Sequence, residues 1–276
     1  MFSYIVAGIA IFLFAYNPII EYLSPQPSRL PRTPRPRINE SLLAIDTTNQ
    51  TAPDCPQDSY SVHILSKAPI VIYIENFLSE EERSHLLEIS EPLFEPSTVT
   101  HDGDATHRDT TIRDSEVALI PRTDTVRCIE NRAKAIQGWR DDLWIERLRT
   151  QRYGIKQHYS HHFDWGSGAR GWGRVSSFMV WVESRDVVGG GTEFPLLRRE
   201  APGRFWCRWV ECGDQDGDGG GNTGVTFKPV AGNAVYWENF RPDGTGRGWD
   251  ETWHAGLPVE KGTKVGLNIW SWGRLN

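Results

Sequence analysis

From Trp144 onward the chain breaks into short runs in which apolar and polar residues alternate, each bounded by glycine: RVSSFMVWVE from Arg174, GGTEFPLL from Gly190, GVTFKPVAGNAVYWE from Gly224 and KVGLNIWSW from Lys264. A period of two in segments this short is a strand signal, because a helix would turn half of those apolar side chains to water. Several such strands in succession predict an antiparallel sandwich or double-sheet jelly roll. Two helices precede most of them. The apolar run Ile70 to Ile74 predicts a strand, after which Ser79 and Glu82 form a capping box and Leu86, Leu87 and Ile89 supply a buried face. Val126, Ile129, Ala133 and Ile136 recur at helical spacing and predict a second helix from Asp124 to Trp139. The expected class is mainly β with flanking helices packed on one face. No internal repeat is visible.

With 276 residues, 38% of them hydrophobic, the chain can build one domain with a real core. A net charge of -6 argues against a nucleic-acid partner, since phosphate neutralisation needs clustered Lys and Arg. The one basic cluster, Arg29 to Arg37, lies inside SPQPSRLPRTPRPR, whose prolines predict an extended polyproline II spacer. Residues 1–20 carry no charged side chain and are long enough as a helix to cross a bilayer, so a single-pass membrane anchor is expected, with a cleaved signal peptide as the competing reading. The division is then 1–20 anchor, 21–60 proline-rich linker and 61–276 folded domain. Arg29, Arg32, Arg35 and Arg37 after the anchor favour a cytosolic body. The acceptor patterns at Asn39 and Asn49 favour a glycosylated lumenal stalk instead. Cys55, Cys128, Cys207 and Cys212 are either two disulfides, with Cys207 and Cys212 close enough to pair, or four buried thiols. The expectation is a lumenal domain in the endoplasmic reticulum. DQDGDGG from Asp214 imitates the start of a calcium loop, but Val225 stands where a glutamate is needed, so a solvated loop is expected.

QHYSHHFDW, residues 157–165, places His162 and Asp164 two apart, on one side of a strand, while His161 faces away. His254, in TWHAGLP, is the natural third ligand. Two histidines and one carboxylate leave coordination positions open, the arrangement of a non-haem Fe(II) oxygenase, with zinc as the chemical competitor. A second His-x-Asp, His107 to Asp109, sits in a polar stretch without alternation and reads as surface. In the last strand, alternation puts Lys264, Gly266, Asn268 and Trp270 on one face. An ammonium buried there must pair with a carboxylate, and the strand offers none. A bound dicarboxylate would serve, with Gly266 leaving it room; the plainer alternative is a strand-end lysine reaching water.

RYGIKQHYSHHFDW, GGGTEFP and HAGLPVEKGTKVGLNIW closely resemble the catalytic domain of prolyl 4-hydroxylases, in the superfamily of 2-oxoglutarate and iron-dependent dioxygenases, over roughly residues 65 to 272. The resemblance implies a double-stranded β-helix (jelly-roll) core. It also implies that His162, Asp164 and His254 bind Fe(II), that Lys264 pairs with the distal carboxylate of 2-oxoglutarate, and that Tyr159 hydrogen-bonds the same carboxylate. Strict alternation separates Tyr159 from His162, so a bulge at Ser160 or His161 is predicted. Thr192 and Asn268 match pocket-lining positions, and Trp270 either shapes the cosubstrate wall or packs in the core. The implied reaction consumes O2 and 2-oxoglutarate, releases succinate and CO2, and hydroxylates a C–H bond; ascorbate dependence is implied too. Because Asp164 is present, hydroxylation is favoured over chlorination. The substrate is a prolyl residue of a secreted peptide or a small molecule, with Trp165, Trp172, Trp249 and Trp253 available for stacking and the loops 165–174 and 241–253 as lid candidates. A membrane-anchored binding module that has lost catalysis would lack a ligand or the cation, and neither is missing.

Overall fold

A computed structural model describes residues 33–46, 50–101, 105–166, 171–198, 205–212 and 223–275. Two antiparallel sheets face each other. The larger runs in the order β1 (Ser61–Lys67), β2 (Ile70–Glu75), β15 (Ala234–Glu238), β11 (Trp172–Glu183), β18 (Lys264–Arg274), β9 (Arg149–Tyr153), β7 (Glu116–Leu119) and β3 (Glu95–Pro96), with β8 (Leu143–Ile145) also paired to β18. The smaller is β14 (Thr223–Phe227), β13 (Thr192–Arg198), β16 (His254–Gly256), β10 (His158–His162) and β6 (Arg113–Asp114). Two short pairs, β4 (Val99–His101) with β5 (Ala105–His107) and β12 (Val188–Gly189) with β17 (Val259–Lys261), complete the strands. This is the jelly-roll core expected from the alternation.

The period of two sorts each long strand between two cores. On β18, Val265, Leu267 and Ile269 turn outward to the helices, joined there by Phe178, Val180 and Val182 of β11. Between the sheets, Tyr73, Trp181, Phe194, Phe227 and Trp237 form a second, aromatic core. Burying each such ring contributes about 2 kcal/mol or more. That second core closes one end of the space between the sheets.

Helix α1 (Glu80–Ser90) starts on the expected capping box: Ser79 Oγ accepts from the Glu82 amide and Glu82 Oε2 accepts from the Ser79 amide. Helix α2 (Asp124–Ile136) packs beside it on the outer face but stops three residues short of Trp139. Gly138 at φ +76° and Trp139 at φ +54° are both left-handed, which no helix continues through, and the Trp139 ring is left 60% exposed. Periodicity alone could not show this end.

Glu82 does more than cap. Arg132 of α2 grips its two carboxylate oxygens at 2.9 Å each and also donates to the Phe77 carbonyl at 2.6 Å and to Asp58. Both partners are buried. Glu82→Gln should therefore lower the unfolding free energy by about 3 kcal/mol, because it leaves the buried guanidinium with only the partly exposed Asp58 as an anionic partner. Urea denaturation checks this, and an unchanged midpoint would show that the pair contributes nothing net.

Within the 21–60 stretch, several of the described residues pack against the body. Ala44 is in the outer core and its amide donates to the Ile145 carbonyl at 2.8 Å. Asp46 receives Arg122 and Arg127, and Cys55 is disulfide-bonded to Cys128 of α2. Cys207 and Cys212 form the second disulfide, so all four cysteines are paired. The acceptor Asn39 caps a 3-10 turn at Glu40–Leu42. The anchor at 1–20, the acceptor Asn49 and the DQDGDGG loop lie outside the described residues. Among the described residues, no helix is long and apolar enough to cross a membrane.

Candidate active site

Three of the expected residues meet at the mouth of the small sheet. His162 ends β10, Asp164 follows it by two, and His254 opens the neighbouring β16, directly opposite His162 in register. Their ligand atoms all lie within 4.8 Å of one another. His162 Nε2 is 3.7 Å from Asp164 Oδ1, and His254 Nε2 is 3.9 Å from Oδ2. The other nitrogen of each ring is committed. His162 Nδ1 donates to the Ser160 carbonyl and His254 Nδ1 to the Thr252 carbonyl, both at 2.8 Å. A carbonyl can only accept, so each Nδ1 carries the proton and each Nε2 keeps its lone pair for the shared centre.

Electrostatics sets the charge states a cation needs. Burial, reinforced by the neighbouring His254, pushes His162 down to about 3, and burial likewise lowers His254. Burial alone would raise Asp164, but His254, Arg174, His162 and a hydrogen bond from Ser177 outweigh it and hold the carboxyl below its usual range. At neutral pH the set is two neutral imidazoles and one carboxylate, a donor set suited to Fe(II). Asp164 is also oriented from the opposite sheet: Trp270 Nε1 donates to Oδ2 at 3.0 Å. Arg174 donates to the Asp164 carbonyl at 3.0 Å, stacks 4.0 Å over the Trp270 ring, and is itself held by both oxygens of Glu146.

Deeper in the same cavity lie Lys264, Tyr159, Thr192 and Asn268, together with Gln151, Tyr153, Met179, Trp237 and Gly256. Lys264 is 1% exposed; it donates to the Gly190 carbonyl at 2.6 Å, lies 4.7 Å over the Tyr153 ring, and makes no ion pair among the described residues. Burial pushes its ammonium down to about 8. Gln151 Nε2 and Trp237 Nε1, also buried in this lining, have no hydrogen-bond partner among the described residues. One unpaired cation and two orphaned N–H donors around one cavity fit an anionic, oxygen-rich ligand such as the distal carboxylate of 2-oxoglutarate. A lysine reaching water is excluded.

Tyr159 comes to this cavity as the bulge requires. The β10–β16 register shifts between Tyr159 and His162, which brings the Tyr159 ring onto His162 with centroids 3.8 Å apart. His161 points away, to Glu193 at 2.7 Å. Gly266 is needed for a different neighbour than expected: a Cβ there would come within 2.4 Å of the Met179 methyl, so it accommodates Met179 rather than the ligand. Gln151 and Tyr153 were missed because RTQRY looks polar on both faces, although its alternation puts those two together. Trp165 bonds Thr252, Trp253 stacks on His161 and lies tilted against Phe163, and Trp249 lies under Arg241. Of the lid candidate 165–174, residues 167–170 lie outside the described residues.

Residues 148–272 match the family profile described as "2OG-Fe(II) oxygenase superfamily". Among curated proteins, the chain is similar to probable prolyl 4-hydroxylase 10 of Arabidopsis thaliana, 27% identical over 81% of this chain and 76% of that one. It is also similar to prolyl 4-hydroxylase 5 of the same plant, 26% identical over 76% and 70%. Among solved structures, a viral collagen prolyl hydroxylase from Paramecium bursaria Chlorella virus-1, in complex with 2OG, superposes with a TM-score of 0.52 at 22% identity, covering 74% of this chain and 96% of that one. That likeness is one of fold. The match spans both β10 with its His-x-Asp and β18 with Lys264, so over residues 148–272 the chain is similar to the 2-oxoglutarate and Fe(II)-dependent oxygenases, and over most of its length to prolyl 4-hydroxylases.

Proposed function

We propose that this dioxygenase hydroxylates prolyl residues of peptide substrates, with His162, Asp164 and His254 holding Fe(II) and Lys264 holding 2-oxoglutarate. The observation that carries the site assignment is that the neutral-imidazole and carboxylate set opens into the same cavity as a buried ammonium that has no counter-ion among the described residues. The prolyl substrate is supported by the relatives, which are prolyl 4-hydroxylases by name. Bound together, Fe(II) and 2-oxoglutarate supply the oxidising chemistry, in which O2 is consumed and 2-oxoglutarate leaves as succinate and CO2.

The protein's own part is placement. Ser160 and Thr252 fix the imidazole tautomers, Trp270 fixes the Asp164 carboxylate, and Arg174 holds the Asp164 backbone carbonyl. Lys264 takes the far carboxylate, with Tyr159, Thr192 and Asn268 around it and the Gln151 and Trp237 N–H groups free to donate. Phe194 stacks on His254 and, with Trp237, walls the histidine off from water.

The expected pH dependence follows from Lys264. Without ligand its ammonium titrates near 8, and an adjacent carboxylate raises it, so binding above that pH takes up a proton. The KM for 2-oxoglutarate should be flat below pH 8 and rise above it, approaching about tenfold per unit. A flat profile to pH 9.5 would mean that no lysine titration is linked to binding.

Succinate release by the full chain with Fe(II), ascorbate and 2-oxoglutarate tests the substrate. Stimulation by a proline-rich peptide, absent with the alanine-substituted peptide, is expected; equal release with both would remove the prolyl reading. We also infer a single-pass lumenal placement, supported by the uncharged residues 1–20 and by two disulfides that use every cysteine. Protease protection in sealed microsomes is the expected result, and digestion without detergent would overturn it.

A further inference from the structure

Beyond Trp270, the face of the large sheet that carries Lys264 and Asn268 does not end. The next inward residue of β18, Trp272, lies about 7 Å further along the strand. Its direct neighbours are Trp144 on β8 and Arg174 on β11, and Trp172 is one inward step from Arg174. The three indoles form one cluster: Trp172 and Trp272 stack at 5.2 Å, and Trp144 lies 6.1 and 6.0 Å from them. All three remain partly exposed. The same face therefore runs from the cosubstrate cation, past the tryptophan that orients Asp164, onto an open aromatic platform.

The chain's own proline-rich segment sits on that platform. Trp172 Nε1 donates to the Thr33 carbonyl at 3.2 Å, and the Arg35 guanidinium lies 4.4 Å over the Trp144 ring, tethered to Glu40 at 3.2 Å. In Thr33-Pro34-Arg35-Pro36 each proline fixes its own φ and bars the preceding residue from helical conformation, so the segment is held extended, close to polyproline II. Such a chain has no internal hydrogen bonds and presents its carbonyls outward, which is why indole N–H groups and flat aromatic faces recognise it. Pro34 and Arg35 are exposed, so the segment is laid on the surface rather than built into it.

We propose that the Trp144–Trp172–Trp272 platform is a binding subsite for proline-rich polypeptide, and that residues 33–37 occupy it in cis until a substrate chain displaces them. The identity of that competing chain rests on the prolyl reading above; the binding does not. The platform would hold an extended substrate on the outer side of Trp270 while a residue further along it enters the cavity.

The test is fluorescence anisotropy with a labelled peptide LPRTPRPR, the sequence of residues 30–37, against the full chain. A variant carrying Pro34→Ser, Arg35→Ser and Pro36→Ser should bind it about tenfold more tightly than the parent, because the internal competitor is removed. Adding Trp144→Ala to that variant should reverse the gain, and Trp144→Phe, which keeps a ring, should retain most of it. Equal affinity of parent and triple variant, or equal affinity for the peptide with alanine in place of proline, overturns the proposal. The triple variant changes two exposed positions and the half-buried Pro36, none of them in either core, so this arm stands even if a tryptophan variant fails to fold. Platform-dependent binding without hydroxylation of any prolyl peptide would sink the substrate reading alone. Hydroxylation with no dependence of binding on these residues would sink the platform alone.

Discussion

His162→Ala should stop 2-oxoglutarate turnover, with kcat falling about a thousandfold or more, some 4 kcal/mol of lost transition-state stabilisation. Two ligands, Asp164 and His254, would remain, and alanine offers no donor. His162 is also the ring on which Tyr159 stacks, so its loss loosens the wall between the metal position and the anion pocket. The fold should survive, because the His162 side chain is 21% exposed at the end of β10, away from both cores. Succinate release, iron content and far-ultraviolet circular dichroism separate these effects. Turnover retained with an intact fold would show that iron is held elsewhere.

Lys264→Ala should raise the KM for 2-oxoglutarate about a hundredfold, roughly 2.7 kcal/mol, while iron stays bound. The size follows from burial: the ammonium is 1% exposed, so its removal leaves an entering carboxylate without its charged partner in a desolvated site. The variant carries a second signature. Without ligand, an ammonium satisfied by one carbonyl is costly to bury, so its removal should raise the melting temperature of the ligand-free protein. The stabilisation that added 2-oxoglutarate gives the parent should at the same time disappear. A variant with unchanged KM and unchanged response to 2-oxoglutarate would take Lys264 out of the binding site.

The strands and both helix starts were legible because period two, helical spacing and a capping box are local signals. Lys264 and Asn268 were legible for the same reason, being every second residue of one strand. What escaped is what crosses between strands. Trp270 matched both a wall and a core role, and its bond to Asp164 appears only when β18 is laid opposite the loop after β10. Arg174 and Glu146 look like surface charges, yet together they brace that same aspartate. The proline-rich stretch is extended as its composition requires, but Leu43, Ala44 and Cys55 then join it to the body through distant partners that no local pattern reveals.

The site's parts hang from different walls. The three candidate ligands belong to the small sheet and its edge, whereas Lys264 and the indole that holds Asp164 belong to β18 of the large one. Activity is thus a gauge of the spacing between two layers. A metal and a dicarboxylate bridging that gap would act as a clasp, each making the other's wall harder to displace. Warming that lets the layers slide by a fraction of a side chain would silence catalysis while every strand was still paired.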